Sequence, residues 1–194
     1  MTKLILASNS PRRKELLTNL GVKFDVVAKE VDEIKEVDYD PYKLACENAF
    51  RKAQAVLTDV NEESIIIAAD TIVYHQGILG KPANEGEAYD MLKSLSATVH
   101  EVITAFAVVE YPSNKKILSS ETTKVYFKEL NHDEIMSYIR SGEPMDKAGA
   151  YGIQGKASLF VEKIEGDYFN VVGLPLFKIE ETLRKEFEKS LLNY

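Results

Sequence analysis

A short basic segment near the start of the chain is the first place where residue types and spacing indicate chemistry. Residues 8–14 read SNSPRRK and lie between a predicted strand and a predicted helix. Cations in the first turn of a helix oppose the helix dipole, because the free N–H groups there favour anions. An anion held by Arg12 and Arg13 would remove that conflict, and the hydroxyl of Ser8 would add a donor. The segment predicts a phosphate-binding turn; the alternative is a solvated basic turn with an ordinary serine cap.

Two acidic residues are candidates for binding a metal ion or activating water beside a phosphate. Asp70 directly follows the apolar run 64–69, which predicts a central strand that ends at Asp70. A carboxylate at a strand end can hold a metal ion or accept a proton from water. Glu33 belongs to a loop with seven acids from Asp25 to Asp40, and Mg²⁺ often takes one or two carboxylates together with water and substrate phosphates. Glu33 and Asp70 could thus share a metal ion, the alternatives being a capping aspartate and a solvated acidic loop.

Two lysines and a glycine-rich stretch complete the candidates. Lys81 lies in a Gly-Lys-Pro loop and Lys52 on a predicted helix, where each could neutralise phosphate or be an ordinary surface lysine. Residues 143–155 contain three glycines and two alanines, so their backbone can approach a ligand closely. Gln154 offers a donor and an acceptor on one amide, which suits the edge of a nucleobase. The alternative is a flexible loop stiffened by small residues.

The composition restricts the classes of function. The chain has 24 Lys and Arg against 31 Asp and Glu, a net charge of −7, which argues against binding to nucleic acid or to an anionic membrane. No stretch longer than ten residues lacks a charged side chain, so we expect no membrane span. Neither a zinc spacing, a Walker P-loop nor a dinucleotide-binding glycine pattern is present. A single cysteine, Cys46, and a strand predicted almost directly after Met1 favour a reducing, cytoplasmic location without a secretory signal.

The elements that must position these residues are mixed strands and helices. Apolar runs predict strands over residues 3–7, 24–28, 64–69, 99–110, 117–127 and 159–164. Capping residues, prolines and helical spacing predict helices that begin near residues 10, 40, 84, 131 and 175. With 194 residues we expect one domain. The predicted fold class is α/β, or α+β with a long mixed sheet flanked by helices and split by a cleft.

Taken in order, these segments resemble the Maf family of nucleoside triphosphate pyrophosphatases. The similarity is carried by residues 7–13, 31–33, 52–53, 69–71, 80–82, 100–104, 143–155 and 166–175, so it covers nearly the whole chain. The resemblance implies a Maf/ITPase-like fold with an elongated mixed sheet. It implies a single Maf-like domain over residues 1–194, with two lobes around a central cleft, and a homodimer.

The resemblance also implies an activity. Enzymes of this family split a nucleoside triphosphate between the α and β phosphates, giving a monophosphate and pyrophosphate, with Mg²⁺ or a similar ion such as Mn²⁺. The subgroup that prefers dTTP and UTP has Arg, Thr and Gln at three specificity positions, which here are Arg12, Thr71 and Gln154. Ordinary dTTP and UTP, or modified pyrimidine nucleotides, are therefore the expected substrates. The family is also associated with restraint of septum formation in bacteria.

Each candidate residue then receives an expected role. The phosphates would be surrounded by Ser8, Arg12, Arg13, Lys52 and Lys81. Glu33 and Asp70 would hold the metal ion, and Asp70 would be the proton acceptor for the attacking water. Thr71 and Gln154 would face the base or sugar. Two other interpretations stay open: a nucleotide-binding regulator of cell division without significant turnover, and a pyrophosphatase for deaminated purine nucleotides. A nucleic-acid-binding module is disfavoured by the negative charge.

Overall fold

The protein is built around one seven-stranded mixed sheet. The computed structural model describes residues 2–34 and 39–194. The strands are β1 (Lys3–Leu6), β2 (Asp25–Val26), β3 (Ser64–Tyr74), β4 (Ile78–Leu79), β5 (Val99–Tyr111), β6 (Lys116–Phe127) and β7 (Val161–Glu165). Their order is β2-β1-β3-β5-β6-β7, and β4 pairs with β3 beside this path. The pairs β2-β1 and β1-β3 are parallel and the other pairs antiparallel, so the predicted mixed sheet is confirmed.

Six α-helices flank this sheet in the described part of the chain. They are α1 (Pro11–Asn19), α2 (Pro41–Leu57), α3 (Glu85–Leu95), α4 (His132–Ile139), α5 (Tyr168–Val172) and α6 (Leu176–Phe187). Short 3₁₀ helices occupy Glu143–Asp146, Ala148–Ala150, Gly155–Phe160 and Leu191–Asn193. None of the described helices is both long enough and apolar enough to cross a membrane.

The α2 helix packs closely against one face of the sheet. Its buried side includes Ala45, Ala49 and Ala53, which pack with Ile66 and Ala68 of β3 in one core cluster. Small side chains at helical spacing let the helix approach the strands closely, and burial of such a stripe is what stabilises a helix in a protein. The helix begins at the predicted place, because the Asp40 side chain accepts a hydrogen bond from the Lys43 N–H.

The opposite face of the sheet is covered by two groups of helices. One core cluster joins α1 and α6 to β1, β3 and β5, and another joins α3 and α4 to the far ends of β3, β5 and β6. Both contain residues from the segment 150–160, which therefore passes between the two groups. The division into two lobes stays a prediction.

Several predicted boundaries are wrong. β3 does not end at Asp70 but runs to Tyr74, because its backbone pairs with β5 along its whole length, up to Tyr74 opposite Glu101. The strand expected over 24–28 is only two residues long. The one expected over 159–164 begins later, after a 3₁₀ helix. Part of the acidic loop, residues 35–38, lies outside the described residues.

Candidate functional site

The predicted site residues gather beside a gap in the sheet. β5 lines one side of β3 over its full length. On the other side, β1 pairs with the first four residues of β3 and β4 with the last two. Among the described residues, no strand covers the stretch 68–72 on this second side, and Asp70 and Thr71 lie in the middle of it. The chain leaves β1 here and continues into Ser8, so the gap lies at the carboxyl end of a parallel strand, where open α/β sheets bind ligands.

Lys52 joins two carboxylates on the α2 side of this gap. Its Nζ lies 2.6 Å from Asp70 Oδ1 and 2.7 Å from Glu33 Oε1. The side chains of Lys52 and Asp70 are 16% and 14% exposed, whereas that of Glu33 is 41% exposed. Charges removed from water need partners, and the ammonium supplies one to both carboxylates. The three groups together carry one formal negative charge, which favours a further cation.

Arg13 lies on the opposite side of the sheet and is buried. Its Nε donates to the Gly173 carbonyl oxygen at 2.7 Å, and its terminal nitrogens donate to Ser8 Oγ at 3.2 Å and Thr71 Oγ1 at 3.0 Å. Burial lowers the pKa of the Arg13 guanidinium, while the charge of Asp70 raises it. All three hydrogen-bond acceptors are neutral, so this cation can still gain by binding an anion such as phosphate.

Ser8 and the start of α1 add donors to this site. Ser8 Oγ accepts hydrogen bonds from the Ser10 N–H and from Arg13, both at 3.2 Å, so its own proton is left for another acceptor. Ser10 is the residue before α1, as predicted, but its side chain makes no capping hydrogen bond. The free N–H groups of the first helical turn are therefore available to an anion.

Thr71 is held by a buried chain of hydrogen bonds. Its Oγ1 accepts from Arg13 and lies 2.9 Å from Thr104 Oγ1. Thr104 Oγ1 donates to the Asn170 carbonyl oxygen at 2.8 Å, so the proton between the two hydroxyls comes from Thr71. The Asn170 amide in turn donates to the Val102 carbonyl oxygen, and Asn170 is fully buried. The hydroxyl of Thr71 thus has a fixed orientation.

The remaining predicted residues are Arg12 in the first turn of α1 and Lys81 and Gln154 outside the strands and helices. Arg12 Nη1 is 3.6 Å from Asp146 Oδ2, which links the start of α1 to the segment 143–155. The loop that carries Lys81 is tied to the same segment, because the Gly149 N–H donates to the Gly80 carbonyl oxygen at 3.0 Å. In the described structure, the half-buried side chain of Gln154 and the exposed side chain of Lys81 make no hydrogen bond or ion pair.

The structure therefore brings the predicted residues together in two groups rather than one. Glu33, Lys52 and Asp70 form the first group, and Ser8, Arg13 and Thr71 the second. Asp70 and Thr71 are adjacent in β3, so their side chains point to opposite faces of the sheet. A ligand that touches both groups must pass through the gap beside residues 68–72, and a triphosphate is long and anionic enough to do so.

The donor set suits a hard divalent cation. Glu33 and Asp70 offer carboxylate oxygens on one side of the gap, and Mg²⁺ characteristically takes one or two carboxylates and fills its other positions with water and substrate phosphates. Within residues 2–34 and 39–194, no group of three or more His, Cys, Asp or Glu side chains is arranged to hold a metal. Two carboxylates alone do not fill the coordination shell of such an ion, so these residues fit an ion that takes its other ligands from water and substrate.

The sequence matches a known protein family and several of its members. The family described as Maf-like protein matches residues 3–186. The chain belongs to the Maf family. A Maf relative from Alkaliphilus oremlandii, named dTTP/UTP pyrophosphatase, is 53% identical over 99% of this chain and 100% of its own length. Proteins of the same name from Alkaliphilus metalliredigens (52% identical, 99% and 100%) and Bacillus cereus (48%, 95% and 96%) are also similar.

Two solved structures overlap this Maf chain more loosely. A nucleoside-triphosphatase / dITP/XTP pyrophosphatase from Mycobacterium abscessus has a TM-score of 0.41 and 16% identity, over 66% of this chain and 76% of its own. The Ham1 protein of Staphylococcus aureus has a TM-score of 0.42 and 13% identity, over 65% and 72%. At these scores neither likeness carries a functional argument.

Sequence reasoning missed three polar residues that hold the Maf site together. Asn48, Thr104 and Asn170 are all buried. Asn48 had a detectable signal, because it interrupts the apolar face of α2 one turn before Lys52. Thr104 also stands out as a polar residue inside an apolar strand. Asn170 lies in the five-residue helix α5, which has no periodic pattern long enough to be recognised.

Proposed function

We propose that this Maf-family chain hydrolyses dTTP and UTP between the α and β phosphates, releasing the monophosphate and pyrophosphate. The observation that carries this proposal is the similarity to relatives named dTTP/UTP pyrophosphatase, at about half identity over essentially the full length of both chains. The geometry is compatible with it, since cationic and carboxylate groups flank one gap. Modified pyrimidine nucleotides of the same shape would enter the same site.

The cationic groups would bind and align the triphosphate. Ser8 and Arg13, with the free N–H groups at the start of α1, would bind the phosphates on one side of the gap. Positive charge would also come from Arg12 on α1, Lys81 on its loop and Lys52 on α2. Phosphoryl chemistry needs little from a protein beyond positioning and charge stabilisation, and these groups would supply both for the phosphates.

Asp70 would be the proton acceptor for the attacking water. It is a largely buried carboxylate on a rigid central strand, and Lys52 fixes its orientation. Glu33 and Asp70 would together hold Mg²⁺, or Mn²⁺ in its place. Such an ion, when bound, neutralises phosphate oxygens and acidifies water. A general base held this firmly contributes about 10²-fold or more to the rate.

The base would be read by Gln154, with Thr71 close to the sugar or base. An amide can pair with the O4 and N3–H edge that uracil and thymine share, whereas cytosine presents the opposite pattern. Discrimination of this kind is strong when a mismatch leaves a buried polar group unpaired. The hydroxyl proton of Thr71 is already directed to Thr104, so toward the substrate Thr71 would act as an acceptor.

Two further features of the proposal come from the resemblance and from composition. A homodimer is expected, and sedimentation velocity would detect it. A cytoplasmic location is expected from the single cysteine, and cell fractionation would test it.

The test of the proposed reaction is a substrate panel resolved by phosphorus NMR. Purified protein is incubated with Mg²⁺ and each common, deaminated or methylated nucleoside triphosphate. We expect monophosphate and pyrophosphate from dTTP and UTP ahead of the other substrates. Diphosphate and orthophosphate would contradict the cleavage site, and preferred turnover of ITP would contradict the substrate. Tight nucleotide binding without turnover would favour a regulator instead.

A further inference from the structure

Asn48 is a polar residue on the buried face of α2, where packing alone would favour an apolar side chain. It is 4% exposed and lies among Leu44, Ala45 and Ala49. A buried amide costs free energy unless its donors and acceptor find partners. The partners of Asn48 therefore indicate why this residue is polar.

Those partners belong to the segment that carries Glu33. Asn48 Oδ1 accepts a hydrogen bond from the Ile34 N–H at 2.9 Å, and Asn48 Nδ2 donates to the Ile34 carbonyl oxygen at 3.1 Å. The side chain thus pairs with both backbone polar groups of one residue, as a neighbouring strand would. The same nitrogen is 3.5 Å from Asp70 Oδ2.

A second contact from α2 fixes Asp32, the residue that precedes Glu33. Arg51 Nη1 donates to the Asp32 carbonyl oxygen at 3.1 Å. The Ile34 side chain packs against the core cluster beneath α2. Residues 32 and 34 are therefore both fixed to the helix, and the side chain of Glu33 reaches Lys52 from between them.

We propose that Asn48 is a positioning residue, which acts through Glu33 and keeps that carboxylate beside Lys52 and Asp70. The proposal rests on the proposed function, because it assigns Glu33 a part in nucleotide hydrolysis. Glu33 lies on a segment without regular secondary structure, and the hydrogen bonds from Asn48 and Arg51 tie the residues on either side of it to α2. A displacement of about 1 Å at a reacting site can cost about 10²-fold in rate.

The test is a double-mutant cycle with two variants at position 48. Asn48→Leu keeps the number and branching of the side-chain heavy atoms and suits the apolar face, whereas Asn48→Ala leaves a cavity. We expect both to lower kcat/KM for UTP by about ten-fold or more in the wild-type background. In the Glu33→Gln background we expect each to change kcat/KM by less than about two-fold, because the group through which Asn48 acts is already disabled.

A matched control separates positioning from stability. Val56→Ala removes buried volume from the same face of α2, so it should lower the free energy of unfolding and leave kcat/KM near the wild-type value. Wild-type kcat/KM in a folded Asn48→Leu protein, or additive losses in the cycle, would overturn the proposal. If Asn48→Ala fails to fold, Asn48→Leu decides.

Hydrogen exchange of the Ile34 amide tests the role of Asn48 independently of the proposed reaction. The Ile34 amide should exchange slowly in the wild type and faster in Asn48→Leu, because its hydrogen-bond acceptor is lost. If the wild type hydrolyses no nucleoside triphosphate, the proposed function fails, and the exchange of Ile34 still reports whether Asn48 holds this segment. Unchanged Ile34 exchange in Asn48→Leu would overturn the proposal whatever the activity.

Discussion

At the scale of single residues, the site depends on the ammonium group of Lys52, which two carboxylates share. Lys52 contacts Asp70 and Glu33 at nearly equal distances, so removing either carboxylate leaves the lysine paired with the other. This arrangement allows each charge to be tested without leaving a buried cation alone, which would otherwise destabilise the protein by several kcal/mol.

Asp70→Asn should abolish most turnover while the fold is retained. The amide has the same shape as the carboxylate but cannot accept a proton from water, so we expect kcat to fall by at least about 10²-fold. Steady-state hydrolysis of UTP and circular dichroism would measure the two effects. The control is Asp59→Asn, at an exposed carboxylate that pairs with Lys29. Near-normal kcat in a folded Asp70→Asn protein would contradict the assignment of the base.

Gln154→Glu should weaken the use of UTP and dTTP. The change replaces an amide donor by an acceptor, so the pairing with the uracil edge loses a hydrogen bond and gains a repulsion. We expect kcat/KM for UTP to fall by about ten-fold or more relative to CTP, whose N4 amino group is a donor. Gln54→Glu, on the exposed side of α2, is the control. An unchanged substrate ratio would mean that the base is read elsewhere.

Residue types identified the charged side chains of the site better than the buried polar side chains of Asn48, Thr104 and Asn170. Ser8, Arg13 and Asp70 were indicated by their charge or hydroxyl group beside a predicted element end, and Lys52 by its charge on a predicted helix. That Asp70 and Thr71 face opposite sides of the sheet was not predicted, because the strand was expected to end between them and the alternation of side chains was not applied.

At the scale of elements, the turn after α5 brings the backbone of Gly173 close to the side chains of Arg13 and Thr71. Gly173 follows this helix with a φ of 117°, and its carbonyl oxygen accepts the hydrogen bond from Arg13 Nε. A Cβ at this position would lie 3.3 Å from Thr71 Oγ1 and 3.6 Å from Arg13 Nε. Glycine is therefore required here both by the backbone angle and by the close approach to two site residues.

Gly173→Ala should impair both stability and activity. An alanine at this φ costs about 1 kcal/mol or more of unfolding free energy, and its methyl group would press on the Thr71 and Arg13 side chains. Gly21→Ala is the matched control: Gly21 also follows a helix with a positive φ, of 73°, but its Cβ would meet nothing within 4 Å. We expect urea unfolding to show losses in both variants and kcat/KM to fall only in Gly173→Ala. Equal activity in the two would contradict a role for this turn.

The elements that were predicted well are those with long patterns. The cap at Asp40 and the apolar spacing predicted α2, and long apolar runs predicted β5 and β6. The two-residue strand β4 and the short helix α5 carry too few residues for any period to be seen, and β2 was predicted but is shorter than expected. Their places are set by tertiary pairing, which a local pattern does not contain.

At the scale of the whole molecule, one buried contact joins the sheet to the segment that carries Gln154. His100 of β5 is 2% exposed, and its Nε2 lies 2.6 Å from the Tyr151 hydroxyl. The ring also packs edge-to-face with Phe127 at 5.0 Å between centroids. Its Nδ1 has no hydrogen-bond partner among the described residues. A protonated imidazole would therefore be poorly accommodated here.

The stability of the fold should consequently fall at mildly acidic pH. Burial, with a smaller effect from His75, lowers the pKa of His100 from 6.5 to about 3. Between these values the unfolded chain binds a proton that the folded protein excludes, so stability is present above pH 6.5 and is lost as the pH falls. From these pKa values the loss is about 2 kcal/mol at pH 5. Urea unfolding at pH 7 and pH 5 should show this extra loss in the wild type and in His132→Gln, at an exposed histidine, but not in His100→Gln. The same pH dependence in His100→Gln would mean that other groups are responsible.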